Sequence, residues 1–401
     1  MNLSKKDTGK YVTILSLYLA QSIPMSFFST VVPVIMRMEK YSLVSIGLLQ
    51  LIKLPWILKF LWAPIVDRTS SSTRQYRKWI LYSELFYALI ILCIGFFNLK
   101  SDFTTIVALV LIAITASATQ DIATDAYAIL SLKKRNRSLG GSMQSAGTFA
   151  GTLVGSGLLL MAYTHFGWNS LIFGLAGFVL IAIVPILLRR SEEPSDLQET
   201  KKVSFFEFIS FFRQKGIVKH TLILLFFYSG LIGILTMLKP YLVDLGYSMK
   251  QIGFMSGIVG TAAGVLMSLP AGFIIRKIGF SKAVYLFAAI NLIAAYYFHF
   301  IGYTGTSMLK IYIGIALLWM AYAMSSVFIY TIAMQKVRKG REGSDFTTQI
   351  VITHLSSMII AILSGKIADY AGYNGLFITE VLLCLFVLMA LPLLFNSKNY
   401  Q

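Results

Sequence analysis

Apolar runs of about twenty residues, the length a helix needs to cross a bilayer, recur from one end of this chain to the other. Twelve fall near 11–35, 44–66, 79–98, 104–131, 138–163, 168–188, 217–243, 251–275, 281–303, 308–335, 344–368 and 373–395. The chain has 401 residues, 57% of them hydrophobic and 13% charged. A soluble domain carries roughly 25% charged residues, and this chain lacks the polar surface to cover a soluble core of its length. The same hydrophobicity excludes disorder. The expected fold is an all-α membrane protein with twelve transmembrane helices. Lys5, Lys6 and Lys10 precede the first run as they would a signal peptide. Its apolar stretch exceeds a ~7–15-residue signal core, and no small-x-small cleavage site follows, so it is kept as a span.

The formal net charge of +18 comes from 35 basic and 17 acidic residues. In a soluble protein such an excess would suggest nucleic acid. Here the bases gather between apolar runs: Arg68, Arg74, Arg77 and Lys78 after span two, Lys133, Lys134, Arg135 and Arg137 after span four, Arg276, Lys277 and Lys282 after span eight, and Lys336, Arg338, Lys339 and Arg341 after span ten. The loop around Thr164–Gly167 has none. This alternation reports orientation, placing both termini and the even-numbered loops in the cytoplasm; no nucleic-acid partner is expected. Cys93 and Cys384 lie inside apolar runs and read as packing residues. No metal-spaced Cys/His cluster and no GxxxxGK[ST] phosphate loop is present, so neither a metal, a cofactor nor a built-in nucleotide site is expected.

The longest polar segment, 189–216, divides the chain into six-span halves, 1–188 and 217–401. It reads as a cytoplasmic linker, helical in part over 203–213, where Phe205, Phe206, Phe208, Ile209 and Phe212 suggest an interfacial stretch. The halves repeat one another. Tyr41-Ser42 recurs as Tyr247-Ser248, Ile46-Gly47 as Ile252-Gly253 and Pro64 as Pro270, each 206 residues on; Gln144 matches Gln349, and Gly167-x-Asn169 matches Gly372-x-Asn374, each 205 on. Two parallel six-span repeats resemble the major facilitator architecture. Gly147, Gly151 and Gly155 in span five, and Gly253, Gly257, Gly260 and Gly264 in span eight, form stripes that permit close helix approach. In that architecture the fifth and eighth helices meet across the halves; ordinary packing against other helices is the alternative.

Three segments resemble the AmpG-related branch of the major facilitator superfamily. They are Tyr18-Leu19-Ala20-Gln21-Ser22-Ile23-Pro24 with Phe27-Phe28, then Leu54-Pro55-Trp56-Ile57-Leu58-Lys59-Phe60-Leu61-Trp62-Ala63-Pro64-Ile65-Val66-Asp67-Arg68, then Ala118-Thr119-Gln120-Asp121-Ile122-Ala123-Thr124-Asp125-Ala126-Tyr127. That branch contains muropeptide permeases, siderophore permeases of the RhtX/FptX type and acetyl-CoA transporters. The resemblance implies a secondary transporter of the bacterial inner membrane that imports a polar solute by alternating access, proton-coupled, with an anhydromuropeptide favoured. A siderophore and a CoA thioester follow as alternatives. A membrane-embedded acyltransferase is the alternative of another class, but no His/Asp constellation supports it, and an enzyme is not expected. A channel fits repeated halves with intramembrane charges less well than a carrier.

Charges inside a bilayer are costly, at ~2.5–3.5 kcal/mol each on insertion scales, so the few present are candidates. Asp121 and Asp125 share one helical face in span four, about 6 Å apart along the axis. Their proximity disfavours ionising both, which suits a carboxylate that takes up and releases a proton; helix bracing by lysines is the alternative. Lys53 and Lys59 lie in span two. Counting from the cytoplasmic ends at 1.5 Å per residue puts Lys59 level with Asp125 at ~12 Å, and Lys53 at ~21 Å near Asp121 at ~18 Å. The expected pairs are therefore Lys59 with Asp125 and Lys53 with Asp121, only one of them tight. Gln120, Gln21, Gln144 and Gln349 offer amides for a polar solute or for helix–helix bonds; Trp56 offers a ring for stacking or packing. Asp67 and Arg68 begin the loop where, by the resemblance, an acid gates the cytoplasmic face. Glu84 is expected near the cytoplasmic edge, paired with a loop arginine. His299, His354 and Glu380 read as hydrogen-bonded structural groups more readily than relays, and Lys239 and Asp244 as a surface pair. The expected partners are a small-molecule solute, protons and membrane lipid, and a monomer suffices.

Overall fold

The computed structural model describes residues 5–38, 40, 49–99, 101–189, 203, 204 and 206–400. The repeat residues Tyr41, Ser42, Ile46 and Gly47, and residues 190–202 and Phe205 of the linker, lie outside them. Among the described residues the regular structure is all helical. Seven helices among the described residues are long and apolar enough to cross a membrane.

The first half holds α1 (Lys5–Ser26), which continues through a π turn, Phe27–Val31, into Val32–Met38. Span two is broken into α2 (Leu54–Leu58) and α3 (Ala63–Arg68), with 3-10 turns at Gln50–Lys53 and Lys59–Leu61. Pro55 and Pro64 stand at the starts of the two short helices, where a missing N–H costs nothing. Next come α4 (Thr73–Ile94), α5 (Phe103–Ser131), α6 (Arg137–Thr152) and α7 (Leu159–Ala182). The second half holds α8 (Ile217–Phe226), α9 (Ser229–Asp244), α10 (Thr261–Thr304), α11 (Met308–Gln335) and α12 (Glu342–Leu394). Three helices contain a glycine with positive φ: Gly167 in α7 (φ 70°), Gly279 in α10 (φ 80°) and Gly372 in α12 (φ 67°). Each joins two helices, since this backbone region is strained for any residue with a Cβ.

Contacts group the chain into two compact units, one of residues 1–133, 147–209 and 337–348, the other of 134–146, 210–336 and 349–401. Each takes most of its residues from one half of the sequence and a short segment from the other. In the first unit, α4 packs along α5 and α7 around an apolar core that includes Phe27, Phe28, Ile91, Ile114 and Ile172. In the second, α10 packs along α11 around Phe287, Phe298, Phe328 and Phe377.

The repeat is visible within each unit. Gly167 and Gly372 have nearly the same conformation, with ψ −177° and 179°. The asparagine two residues on grips a glycine in both: Asn169 Nδ2 donates to the Gly95 carbonyl at 2.7 Å, and Asn374 Oδ1 lies so close to Gly302 that a Cβ there would sit 2.2 Å from it.

The glycine stripe of span five does not face span eight. A Cβ on Gly147 would lie 2.7 Å from Tyr18 Cβ, one on Gly151 2.4 Å from Ser22 Cβ, and one on Gly155 2.3 Å from the Ile23 carbonyl oxygen. The stripe therefore admits α1 to backbone contact. The contact between spans five and eight is made one turn earlier by hydroxyls and a different glycine. Ser145 and Ser268 bond at 2.9 Å, and Gly272 closes on Ser138 and Ser142. Of the span-eight stripe, Gly260 lies under the Trp319 indole, while Gly253 and Gly257 have nothing within 4 Å.

Candidate functional site

The broken second span, α1, α4 and α5 converge their polar side chains inside the first unit. Asp121 and Asp125 project from one face of α5, as their spacing requires, and are 4% and 1% exposed. Lys59, at the 3-10 turn between α2 and α3, is fully buried. Its ammonium pairs with Asp121 Oδ2 and sits 4.7 Å from the centre of the Trp56 ring, a cation–π contact one helical turn back in sequence. From α1, Gln21 Nε2 donates to Asp121 Oδ1 at 2.9 Å, and Tyr18 Oη donates to Asp125 Oδ1. The α1–α6 glycine contact holds these two side chains over α5, because Gly147 closes on Tyr18 and Gly151 on Ser22, next to Gln21.

The tight pair is thus Lys59 with Asp121, not with Asp125. Depth counting assumed two straight helices, but the 3-10 turn rises ~2.0 Å per residue rather than ~1.5 Å, and a lysine's four-carbon stem reaches about one more turn. Lys53 is exposed and makes no ion pair among the described residues, so its expected approach to Asp121 is not found.

Two residues that touch the pair, Trp56 and Gln21, each carry an uncommitted polar atom. Trp56 Nε1 and Gln21 Oε1 are buried without hydrogen-bond partners. One is a donor and the other an acceptor, set beside a charged pair. Gln120 is buried next to Asp121 in sequence but turns toward α4, where its amide faces the Glu84 carboxyl. Glu84 does not lie at the cytoplasmic edge with an arginine. It is fully buried, because α4 begins at Thr73 and eleven residues of helix carry Glu84 about 16 Å inward.

Asp67 lies at the end of α3 and reaches the start of α12. It accepts hydrogen bonds from the backbone N–H groups of Gly343 at 3.0 Å and Ser344 at 2.7 Å, and from Tyr76 Oη at 2.7 Å. This is the geometry of an N-terminal helix cap supplied by a remote residue, and it sets a carboxylate against the positive end of the helix dipole. A Cβ on Gly343 would stand 2.6 Å from Asp67 Oδ1, so the contact depends on a glycine. Burial pushes the Asp67 carboxyl up to about 6. Arg68 is exposed beside it.

A second polar knot shares this region, and its carboxylates are not among the site residues expected from the sequence. Arg338 forks onto Asp345, with Nε and Nη2 bonds of 2.8 and 2.6 Å. Its Nη1 is 3.0 Å from Glu207 Oε1, which Arg341 Nε approaches to 2.5 Å. The carboxylates around it hold the Arg338 guanidinium above its usual range. In the sequence Arg338 and Arg341 count only toward orientation, and Glu207 falls within the amphipathic stretch 203–213. The helix there runs Glu207–Phe211, with Phe206, Ile209 and Phe212 exposed and Glu207 buried. The available signal was Arg338 and Asp345 flanking Gly340 and Gly343 at a helix start.

The remaining candidates lie elsewhere. Gln349, in the second unit, accepts from His220 Nε2 at 2.6 Å and donates to the Ala333 carbonyl at 3.2 Å; Gln144 is buried in the same unit. Glu380 accepts from Ser364 Oγ at 2.9 Å. His299 packs edge-on against Tyr303. Asp244 accepts from Tyr373 Oη at 2.6 Å in place of the expected Lys239. A cavity of about 720 Å³ between Lys78, Trp79, Tyr82, Phe86 and Ile112 contains none of the charged pair.

Comparison with known proteins gives a consistent answer. The family description "Major Facilitator Superfamily" matches residues 13–348. A protein of Haemophilus influenzae with no assigned function is 25% identical over 88% of this chain and 87% of its own length. The Escherichia coli (strain K12) anhydromuropeptide permease is 24% identical over 69% of this chain and 58% of its own. A putative transporter AmpG 3 of Rickettsia prowazekii is 24% identical over 96% of this chain and 95% of its own. Among solved structures, the E. coli fucose:proton symporter covers 96% of this chain and 98% of its own, with a TM-score of 0.70 at 15% identity. The proton:xylose symporter XylE covers 100% of this chain and 98% of its own, with a TM-score of 0.72 at 11% identity. Those likenesses establish the fold. The chain belongs to the Major Facilitator Superfamily, is similar in sequence to AmpG-type permeases, and is a multi-pass transporter of the inner membrane rather than an enzyme.

Proposed function

We propose that this protein imports an anhydromuropeptide, driven by protons, and that the Lys59–Asp121 pair is its coupling centre. Twelve spans with cytoplasmic termini, halves at 1–188 and 217–401 joined by the 189–216 linker, and a working monomer complete the reading. The observation that carries it is the buried pair with two uncommitted polar atoms beside it, Trp56 Nε1 and Gln21 Oε1. A sugar–peptide solute brings hydroxyls and amides that fit such a donor and acceptor, a ring face for Trp56, and a peptide carboxylate.

Charge counting supplies the mechanism. Two carboxylates and one ammonium leave one negative charge that a proton can balance. A proton on Asp121 releases Lys59, and the freed ammonium then meets the carboxylate of the solute. Either partner of Lys59 satisfies it, so the exchange avoids an uncompensated buried cation, which costs several kcal/mol. Each state of the pair favours a different arrangement of α1, α2 and α5, which is what biases alternating access. Asp67, capping α12, and the Glu207–Arg338–Asp345 knot act as the cytoplasmic latch.

The test is uptake into proteoliposomes under an imposed proton gradient, with labelled anhydromuropeptide, a ferric siderophore and acetyl-CoA compared. Saturable anhydromuropeptide uptake, abolished by a protonophore and by Asp121→Asn, is expected. Uptake of only one of the other solutes would replace the substrate, and full proton-driven uptake by Asp121→Asn would remove the coupling centre.

A further inference from the structure

The basic runs that follow spans four and eight meet in the second unit. A cavity of about 330 Å³ is lined by both, with Lys134, Arg135 and Ser138 from the first and Arg276 and Phe280 from the second, and by Tyr400 from the segment after α12. All of these residues belong to that unit. The lining holds three cations and no carboxylate.

We propose that this cavity binds a phosphate monoester, held by Arg276 and Ser138 and attracted by Lys134 and Arg135. The site stands apart from the Lys59–Asp121 pair and depends on neither the substrate nor the proton coupling proposed above.

Arg276 is the first reason. Its Nε and Nη1 are buried and have no hydrogen-bond partner, and it makes no ion pair among the described residues. A cation drawn out of water needs an anion or an acceptor beside it. Arg135 likewise has no ion pair among the described residues, and like charges brought to one cavity repel.

Ser138 is the second. It is 3% exposed, it lines the cavity, and its hydroxyl has no partner. Its backbone is pressed against α10, since a Cβ on Gly272 would lie 2.4 Å from the Ser138 carbonyl oxygen, so the residue is held in place. It also stands in the first turn of α6, at the positive end of that helix's dipole.

Charge selects among anions. A monocarboxylate would leave most of the repulsion between three cations. A phosphate monoester brings roughly −1.5 to −2 charge near pH 7 and three acceptor oxygens, enough for a guanidinium and a hydroxyl together. Phe280 and Tyr400, with ring centroids 6.2 Å apart, offer an apolar face to the esterified group, and the Tyr400 hydroxyl is fixed by a 2.9 Å hydrogen bond with His220 Nδ1. The volume lies at the lower end of the ~300–1,000 Å³ of small-molecule sites, which suits a headgroup-sized molecule. The same chemistry is offered by a soluble phosphate ester and by the headgroup of phosphatidic acid. Bound, it joins the Lys134–Ser138 segment to the end of span eight and stabilises the unit in this arrangement.

The experiment is thermal unfolding and binding calorimetry of the purified full chain with glycerol 3-phosphate, beside unfolding in phosphatidylcholine nanodiscs with and without phosphatidic acid. Sodium chloride at equal ionic strength is the control. A saturable rise in the midpoint is expected, about 5–10 °C at a hundredfold excess over Kd. A response to glycerol 3-phosphate assigns the site to soluble esters, and a response to phosphatidic acid alone assigns it to lipid. No response beyond the chloride control from either source overturns the proposal. Arg276→Gln should weaken binding on the order of 10- to 100-fold. Should that variant fail to fold, Ser138→Ala and Arg135→Gln should each weaken it several-fold, and unchanged affinity in the variants that fold also overturns the site. Uptake plays no part in the readout, so failure of the transport reading and failure of this one are told apart.

Discussion

Removing the ammonium from Lys59 is the perturbation that most directly probes the site. In Lys59→Met the side chain keeps its length, while Asp121 and Asp125, 4% and 1% exposed, keep the Gln21 and Tyr18 donors but lose the balancing cation. Breaking a buried pair by deleting one partner costs about 3–5 kcal/mol. A kcal/mol moves the unfolding midpoint of a unit near 200 residues by about 2–4 °C, so a fall on the order of 10 °C is expected. Asp121→Asn should cost somewhat less, because the stranded ammonium retains Trp56, a contact contributing about 0.5–2 kcal/mol. The double variant removes both charges together. Its loss should fall well short of the two single losses combined, with a coupling within the roughly 0.5–3 kcal/mol seen for residues in contact, while proton-driven uptake stays abolished in all three. The assay is thermal unfolding of the purified full chain in one lipid and buffer, alongside proteoliposome uptake. Additive losses would show that Lys59 and Asp121 do not act as a pair, and transport by the double variant would show that the pair only braces the helices.

Three other outcomes follow from the geometry. Burial sets the Asp67 carboxyl at about 6 in the capped arrangement, against about 3.9 for a solvated aspartate. The raised value means the cap gains stability as pH falls from above 6 toward 4 and loses it as pH rises through 6, with a span of roughly 3 kcal/mol. Hydrogen–deuterium exchange at the Gly343 and Ser344 amides, corrected for intrinsic rate, should slow between pH 7 and pH 5, and Asp67→Asn should abolish that change. Gly151→Ala places a methyl 2.4 Å from Ser22 Cβ and should cost about 1–3 kcal/mol by overpacking, with reduced uptake, whereas Gly174→Ala, inside a helix with nothing within 4 Å, should stabilise by up to about 1 kcal/mol; unfolding midpoints decide it. Tyr18→Phe removes the hydrogen bond to Asp125 and should cost roughly 1.5–3 kcal/mol, the range for a bond to a charged group, an expectation that an unchanged midpoint would defeat.

How much of this was legible in the sequence depends on what each residue answers to. Helical spans were legible because length and hydropathy act locally, and the Gly-x-Asn repeat because a positive-φ junction demands glycine wherever it recurs. The site's membership was legible for the same kind of reason. Asp121, Lys59, Gln21 and Trp56 are costly or unusual in an apolar run, and the structure brings those four together. The pairing was not legible, because a break at Lys59–Leu61 changes depth by amounts a residue count ignores. Nor was the partner of the span-five stripe, since a row of glycines states that some backbone comes close without saying whose. Glu84 was misplaced because the start of α4 was set by hydropathy at residue 79, whereas the helix begins at Thr73 and draws Glu84 inward. Glu207 and Asp345 escaped notice because charges near loops are common, and only long-range contact distinguishes a knot from a solvated face.

The repeat and the charges also obey different rules, and the difference bears on mechanism. The backbone junctions recur in both halves, at Gly167 and Gly372, each with its asparagine. The charged cluster does not. At the repeat offset of 205 or 206, Lys59 corresponds to Val265, Glu84 to Ile290, Asp121 to Ser326 and Asp125 to Tyr330. A junction costs nothing to duplicate, because it satisfies the same local geometry twice. A buried ion pair costs desolvation each time it is built, so one centre costs less than two. The two halves can therefore share a scaffold while only the first holds the ionisable centre. In that division of labour, proton binding should alter α1, α2 and α5 first, and the second half should respond through the polar contacts at its loops, of which Asp67 on the start of α12 is the strongest candidate.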